Sequence, residues 1–125
     1  MKLQTAKVPA VDVMFRAFSD RTRLRLLNLL QGGEGRERCV CELVEALELP
    51  QSKISRHLAY LRKAGLVKAR KEGLWMYYRL APAGNEFHES LLKCLTCCFG
   101  SVPELRGDLR RIGEVGCGPT GEGCC

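Results

Sequence analysis

The fold of this chain is decided by residues 38–80, RCVCELVEALELPQSKISRHLAYLRKAGLVKARKEGLWMYYRL. Its apolar residues first recur at helical spacing, as Ile54, Leu58 and Leu61 do at i, i+4 and i+7. Beyond Gly65 they alternate with polar residues, which is the pattern of β-strands. The stretch therefore predicts two short helices joined by a tight turn and followed by a two-stranded ribbon.

The turn between the two helices is expected at Pro50, because a proline restricts the residue before it and cannot continue a helix. The second helix should then span residues 51–64. In the ribbon, we expect strands over residues 67–71 and 75–80, with the Glu-Gly pair at residues 72–73 as the hairpin turn. This order of elements predicts a helix-turn-helix followed by a wing.

Further helices are predicted on both sides of this stretch. Helical spacing of apolar residues occurs over residues 8–18, 21–31, 85–99 and 104–112. The element order is then α-α-α-α-β-β-α(-α), which makes the fold class mainly α with a small β-hairpin.

Length and composition favour a single globular domain. The chain has 125 residues, of which 46% are hydrophobic and 27% are charged. We assign residues 1–112 to that domain. Residues 113–125 contain five glycines and three cysteines without an apolar stripe, so we expect a flexible Cys/Gly-rich C-terminal tail there.

Charge and hydropathy bear on partners and location. Lys and Arg number 20 against 14 acids, and the net charge of +6 favours a polyanionic partner such as nucleic acid. The chain has no run of about eighteen apolar residues and no apolar signal core, so we expect no membrane span and a cytoplasmic location. Thiols stay reduced there, so the eight cysteines are expected to be ligands, sensors or buried hydrophobes rather than a disulfide framework.

The outer face of the helix over residues 51–64 is a candidate DNA-binding surface. A turn of about 100° per residue places hydroxyl, cationic and aromatic side chains opposite the apolar stripe. Such side chains can contact phosphates and base edges when a helix enters the major groove, and a plain helical hairpin with a solvated face is the alternative. His57 falls beside the stripe, and we interpret it as a packed histidine. Including two cations beside the wing turn, the candidate DNA-binding residues are Gln51, Ser52, Lys53, Ser55, Arg56, Tyr60, Lys63, Arg70 and Lys71.

The segments CVCEL, QSKISRHL and KEGLWMYYRL, in this order, closely resemble the ArsR/SmtB family of winged helix-turn-helix repressors, in particular its arsenic-responsive branch. The preceding FRAFSDRTRLRLLNLL is similar to the family's opening helices, so the resemblance covers about residues 8–90. It implies a homodimer built from the first and last long helices, with residues 1–112 as the DNA-binding and dimerisation domain. It also implies binding to double-stranded operator DNA by the helix from Gln51, and release by a metal or metalloid.

In the arsenic-responsive branch, the site resembles C-V-C-x-L-C at the start of the helix before the recognition helix. Cys39 and Cys41 match the first two cysteines, whereas Val44 occupies the third position. The resemblance thus implies As(III) or Sb(III) as inducer, at a site one thiolate short of the three that these thiophilic ions are expected to prefer. Two thiolates can hold a methylated arsenical or recruit a third ligand.

Helix geometry sets a condition on the first two sulfurs. Residues i and i+2 lie about 200° apart on a helix, so Cys39 and Cys41 converge on one atom only if Cys39 lies outside the helix or in an unwound turn. Ligand binding should therefore distort this helix start. Cys117, Cys124 and Cys125 of the tail could supply the third ligand or scavenge metal nonspecifically.

A second cluster offers three sulfurs by itself. Cys94, Cys97 and Cys98 lie at i, i+3 and i+4, so one helix face can present all three. Cys94 and Cys98 also continue an apolar stripe with Phe87 and Leu91, and buried cysteine packs as a small hydrophobe. An arsenic site at the dimer interface, packed core thiols and redox chemistry are the three interpretations.

The sequence therefore predicts a homodimeric, metalloid-responsive transcriptional repressor, which is not an enzyme and uses no organic cofactor. Its candidate metal ligands are Cys39, Cys41, Cys94, Cys97 and Cys98. The alternatives are a repressor of the same fold that senses Zn, Cd, Pb or thiol oxidation, a thiol oxidoreductase using the CxxC pair at residues 94–97, and a metal-buffering protein.

Overall fold

Six helices and three short strands run along the part of the chain that the computed structural model describes, residues 10–31, 36–97 and 100–114. In chain order they are α1 (Val11–Phe18), α2 (Arg21–Leu30), β1 (Arg38–Cys39), α3 (Val40–Leu47), α4 (Gln51–Lys63), β2 (Val67–Glu72), β3 (Trp75–Leu80), α5 (Glu86–Cys97) and α6 (Pro103–Ile112). The predicted fold class, mainly helical with a small antiparallel sheet, is confirmed.

Capping side chains explain where the central helices begin and end. The Asp20 carboxylate accepts the backbone N–H of Arg23 at 3.1 Å at the start of α2. Glu42 reaches back to the backbone N–H of Cys39 at 2.9 Å at the start of α3. That helix ends at Glu48, whose φ of 58° lies in the left-handed region and turns the chain sharply toward α4. Two short helices therefore meet at an angle, as a helix-turn-helix requires.

The hydrophobic core lies mainly between α2, α3 and α4. Leu27 and Leu30 of α2, Leu43 of α3, and Leu58 and Leu61 of α4 are each at most 1% exposed. Each such side chain contributes about 1.5–3 kcal/mol of burial free energy, so the core rather than helix propensity holds α3 and α4 in place. The outer face of α4 is left to solvent.

The sheet has three strands rather than the two that the sequence predicted. The order is β1-β3-β2, all antiparallel, and β1 pairs Arg38 with Tyr78 and Cys39 with Tyr77. The prediction missed β1 because a strand of two residues has no periodicity and is defined only by its partner. The turn prediction also shifts, since Glu72 pairs with Trp75 and only residues 73–74 connect the strands. We call β2 and β3 with their turn, residues 67–80, the wing.

Helix α6 packs against α2 and α3. Asn28 of α2 donates a hydrogen bond to the backbone oxygen of Leu105 at 3.1 Å. Asp108 is fully buried and accepts hydrogen bonds from Arg25 at 2.8 and 2.9 Å and from Arg111 at 2.6 Å. The sequence predicted this helix but not its place, which depends on polar contacts between residues far apart in the chain.

The boundaries of the outer elements agree with the sequence where both can be compared. The predicted first helix includes residues 8–9, and the predicted helix after the wing includes residues 98–99, which lie outside the described residues. Of the predicted tail, residues 113–114 are exposed and follow α6, and residues 115–125 lie outside the described part. No helix within the described ranges is long and apolar enough to cross a membrane.

Candidate nucleic-acid interface and sulfur site

The outer face of α4 carries the side chains predicted to bind DNA. Ile54, Leu58 and Leu61 are fully buried, so the opposite face is turned to solvent. Among the predicted residues on this helix, Lys53 and Ser55 are half-buried, and the exposed ones are Gln51, Ser52, Arg56, Tyr60 and Lys63. The helix also exposes Arg62, which was not among the predicted residues. Its position in the last turn of α4, beside Lys63, is the signal that could have identified it.

Arg23 fastens this helix to the helices before it. Its guanidinium donates to the backbone oxygens of Arg16 and Ala17, each at 3.0 Å, at the end of α1. The same group stacks on the ring of Tyr60, with the guanidinium carbon 4.0 Å from the ring centre, and lies 3.4 Å from Nδ1 of His57. This contact could not be predicted from the sequence, because an arginine on α2 has no spacing relation to α4.

His57 is largely enclosed, as the packed-histidine interpretation expects. Its Nδ1 lies 3.8 Å from the Asp20 carboxylate, and its side chain is 13% exposed. Burial lowers the pKa of His57 below its ordinary value, the Asp20 carboxylate opposes this, and the cations Arg23, Arg56 and Lys53 lower the pKa further. The neutral ring is therefore favoured over the charged one at the base of this face of α4.

The two predicted cations of the wing differ in their surroundings. Arg70 donates to both carboxylate oxygens of Glu37, at 2.7 and 3.0 Å, and to Glu72 at 2.7 Å, and it stacks on the Tyr77 ring at 4.8 Å. The hydrogen bond from Arg70 lowers the pKa of Glu37 and keeps this carboxylate charged. Lys71 is exposed, and it has no ion pair within residues 10–31, 36–97 and 100–114. Lys71 is thus the more available of the two charges for a phosphate.

The sulfur pair, which we define as the Sγ atoms of Cys39 and Cys41, lies at the entrance to α3. The two atoms are 2.9 Å apart. Cys39 is the N-cap of α3, with extended backbone angles of φ −83° and ψ 158°, and so lies just outside the helix. The geometric condition for convergence on one atom is therefore met, but Cys41 is disulfide-bonded in this structure and would bind a metalloid only after reduction.

The environment of the sulfur pair differs between its two members. Cys39 is 1% exposed and Cys41 is half-buried. Burial raises the pKa of the Cys39 thiol above its ordinary value, although the backbone N–H of Glu42 opposes this, and the Glu42 carboxylate raises the pKa further. A thiophilic ion must therefore displace a proton that is held more tightly than in an exposed cysteine.

The third position of the arsenic-responsive pattern is filled by Val44, a half-buried residue that packs against the core. Within the described ranges, no group of three or more His, Cys, Asp or Glu side chains could hold a metal ion. Cys39 and Cys41 therefore stay predicted ligands, and a site of three thiolates would need a third ligand from outside the described residues.

The second cysteine cluster is only partly described. On α5, Cys94 is half-buried and Cys97 is exposed, whereas Cys98 lies outside the described residues. His88 and Leu95 of α5 are the most deeply buried, at 0% and 1% exposure, and Phe87 and Leu91 of the predicted stripe pack against the core as partly buried residues. The three interpretations of this cluster, an arsenic site at the dimer interface, packed thiols and redox chemistry, therefore stay predictions.

Helices α3 and α4 with the wing define a winged helix-turn-helix protein. The sequence matches the family described as "Bacterial regulatory protein, arsR family" over residues 20–69. It is 42% identical over 113 residues, covering 90% of this chain and 85% of the relative, to the Arsenic resistance transcriptional regulator ArsR1 of Pseudomonas putida. The chain therefore belongs to the arsR family of bacterial regulatory proteins.

Two further comparisons agree with this assignment. The Arsenical resistance operon repressor of Escherichia coli is 51% identical over 69 residues, which are 55% of this chain and 57% of that protein. A crystal structure described as a possible transcriptional regulator for arsenical resistance is 32% identical, with a TM-score of 0.53, and the match covers 84% of this chain and 96% of that one. The predicted resemblance to arsenic-responsive members of the family is confirmed.

Proposed function

We propose that this protein is a homodimeric transcriptional repressor that binds double-stranded operator DNA and is released when As(III) or Sb(III) binds the sulfur pair. The observation that carries the proposal is the 2.9 Å distance between the sulfurs of Cys39 and Cys41, at the start of the helix before α4. Two relatives that are named for arsenic or arsenical resistance support the choice of inducer.

DNA binding is assigned to α4 and the wing. Exposed Arg56 and Lys63 have no ion pair within the described ranges, so their charges are available for phosphates. Gln51 and Ser52 lie at the start of α4, and the N-terminal residues of a recognition helix contact base edges in the major groove, which supports a role in base contacts. Lys71 adds a cation on the wing beside the groove.

The homodimer is assigned to α1 and α5. Val11 and Phe15 of α1 are 52% and 54% exposed, which is unusual for large apolar side chains. Phe15 stacks edge-on against Phe87 of α5, with ring centres 5.4 Å apart, so both helices contribute to one apolar surface. A second copy that covers this surface would present two α4 helices to half-sites about one helical turn of DNA apart.

Release follows from the position of the sulfur pair. A metalloid bonded to both sulfurs would have to push them apart from their 2.9 Å contact, which displaces Cys39 at the N-cap against Cys41 and strains the first turn of α3. A loss of about a hundredfold in operator affinity needs about 2.7 kcal/mol of differential binding. Because the coupling is reciprocal, operator DNA must weaken metalloid binding by the same factor.

The test is a titration of the protein–DNA complex, followed by fluorescence anisotropy, with DNA selected from a random-sequence pool. Reducing conditions are needed, because Cys41 is disulfide-bonded in this structure and metalloids bind thiolates. Arsenite or antimonite should release the wild-type protein. Cys39→Ser and Cys41→Ser should bind DNA normally and resist release, and an undiminished response would remove the sulfur pair as the sensor.

The same titration also tests the second cysteine cluster, other inducers and the functions that do not involve DNA. Cys94→Ser and Cys97→Ser should respond as wild type does, and a lost response would assign sensing to the second cluster. Release by Zn, Cd, Pb or a thiol oxidant in place of arsenite would identify a different inducer. Metal binding or thiol exchange without any effect on DNA would instead indicate a metal-buffering protein or a thiol oxidoreductase.

A further inference from the structure

Strand β1 and helix α3 share a boundary without a linker. Cys39 is the last residue of β1 and also the N-cap of α3, and its backbone N–H is held by the Glu42 carboxylate at 2.9 Å. A displacement of the Cys39 backbone must therefore move both the helix start and the strand. The sulfur pair lies at the point where the two elements meet.

The strand connects this point to the wing. Cys39 is paired across the sheet with Tyr77, and Tyr77 is paired on its other side with Arg70. Side chains directly opposite each other in antiparallel strands lie on the same face of the sheet, so these three residues form one row. The Arg70 guanidinium lies over the Tyr77 ring at 4.8 Å, which makes the row continuous across all three strands.

Glu37 provides a second connection between the chain before β1 and the wing. It precedes β1, and both of its carboxylate oxygens accept hydrogen bonds from Arg70 of β2, at 2.7 and 3.0 Å. The same carboxylate lies 3.9 Å from Arg79 of β3. A bidentate pair fixes orientation as well as distance, so Glu37 fastens the chain before the sulfur pair to both strands of the wing.

We propose that the Glu37–Arg70 pair transmits metalloid binding at Cys39 and Cys41 to the wing. The inference rests on the proposed function and specifies how that site is coupled to DNA. When the metalloid strains the first turn of α3, β1 shifts against β3, Glu37 moves with it, and Arg70 is drawn out of its place on the wing. The wing then no longer lies beside the DNA as it does in the ligand-free form.

A competing route would bypass β1. Helix α3 packs directly against α4, so a strained α3 could tilt the recognition helix through the core. The two routes differ in one respect that can be measured, because only the route through β1 depends on Glu37.

The experiment compares Glu37→Gln with Glu72→Gln. Each variant removes one carboxylate that accepts a hydrogen bond from Arg70, at 2.7 Å in both cases, and each changes the net charge by the same amount. Only Glu37 lies outside the wing, so only its replacement cuts the link to β1. The readout is the ratio of operator affinities without and with saturating arsenite, within each variant, and general charge effects on DNA binding cancel in this ratio.

We expect Glu37→Gln to bind arsenite as wild type does, measured by the ultraviolet absorption of the sulfur–arsenic bonds. Its affinity ratio should fall from about a hundredfold to below about tenfold, whereas Glu72→Gln should keep the wild-type ratio. Equal ratios in wild type and Glu37→Gln, or equal losses in both variants, would overturn the inference. If the wild-type protein itself shows no loss of affinity with arsenite, the proposed function fails first and the inference fails with it.

Arg70→Lys provides a second variant in case Glu37→Gln unfolds. Lysine keeps the positive charge but cannot form the bidentate pair with Glu37. The affinity ratio should therefore fall as it does in Glu37→Gln, and a wild-type ratio in a folded Arg70→Lys protein would equally overturn the inference.

Discussion

Arg23 stacks on Tyr60, with its guanidinium carbon 4.0 Å from the ring centre, while its nitrogens hold the backbone oxygens at the end of α1. The recognition helix is thus fastened to the helix assigned to the dimer interface by one side chain. The angle between the two determines the spacing of the two recognition helices in a dimer, and therefore the spacing of half-sites that the dimer can reach.

Replacing Arg23 by Ala should lower both stability and operator affinity. Two hydrogen bonds at about 1 kcal/mol each and a cation–π contact of about 0.5–1 kcal/mol give an expected loss of about 2–3 kcal/mol in the free energy of unfolding. Urea denaturation measures it. Arg21→Ala is the matched control, because Arg21 is 79% exposed and lies 3.6 Å from Glu104, so its loss should stay within about 0.5 kcal/mol. Equal losses in the two variants would contradict the anchoring role of Arg23.

Replacing Arg56 by Ala should weaken operator binding and reduce its salt dependence. A phosphate contact releases counterions, so its removal should lower the slope of log affinity against log salt by about one. Lys93→Ala removes the same charge from an exposed position on α5 and should leave the slope unchanged. Anisotropy titrations at several salt concentrations give both slopes, and a parallel decrease in the two variants would argue for a general charge effect.

Replacing Asp108 by Asn should destabilise the chain more than any surface change. The buried carboxylate accepts hydrogen bonds from Arg25 and Arg111, which in turn donate to the backbone oxygens of Leu47 and Ala46 at the end of α3. Breaking a buried pair in this way costs about 3–5 kcal/mol, because it removes the main carboxylate partner of Arg25, whose side chain is only 11% exposed. Glu104→Gln, at 37% exposure and 3.6 Å from Arg25, should cost less than about 1 kcal/mol. A small loss in Asp108→Asn, by urea denaturation, would mean that α6 contributes little to the domain.

The helices of the core could be predicted from the sequence because their apolar spacing is local information. The predicted helix over residues 51–64 and the observed Gln51–Lys63 differ by one residue at the end. The contacts that connect the sites could not be predicted in the same way. Glu37 and Arg70 are 33 residues apart in the chain, and β1 is too short to leave a pattern, so only the folded chain brings them together.

The convergence of Cys39 and Cys41 could be predicted from the sequence only in part. Helix geometry predicts that the two sulfurs converge only if Cys39 lies outside the helix. In the structure Glu42 caps α3 at Cys39, so Cys39 does lie outside it. The burial of His88 could not be predicted from the sequence, since the stripe through Phe87 and Cys94 and the positions of His88 and Leu95 are both compatible with helical spacing. In the structure His88 and Leu95 are the more deeply buried, and Phe87 and Leu91 pack beside them as partly buried residues.

His88 should make stability depend on pH in the weakly acidic range. It is fully buried, its Nδ1 accepts the backbone N–H of Gly84 at 3.0 Å, and its Nε2 has no hydrogen-bond partner among the described residues. Burial lowers its pKa below the ordinary value of 6.5. A lowered pKa in the folded state means that the unfolded state binds the proton more tightly, so the contribution of His88 is complete above pH 6.5 and is lost as the pH falls below it.

The expected slope in that range is at most about 1.4 kcal/mol per pH unit for one proton, measured by urea denaturation between about pH 5.5 and 7.5. His88→Gln should flatten it, since glutamine can accept the same N–H and does not titrate. His57→Gln should flatten it less, because the Asp20 carboxylate at 3.8 Å offsets part of the burial effect on His57. These are the only two histidines in the chain, so a slope that persists in the double variant would have to come from other groups, and the buried histidine would not be its cause.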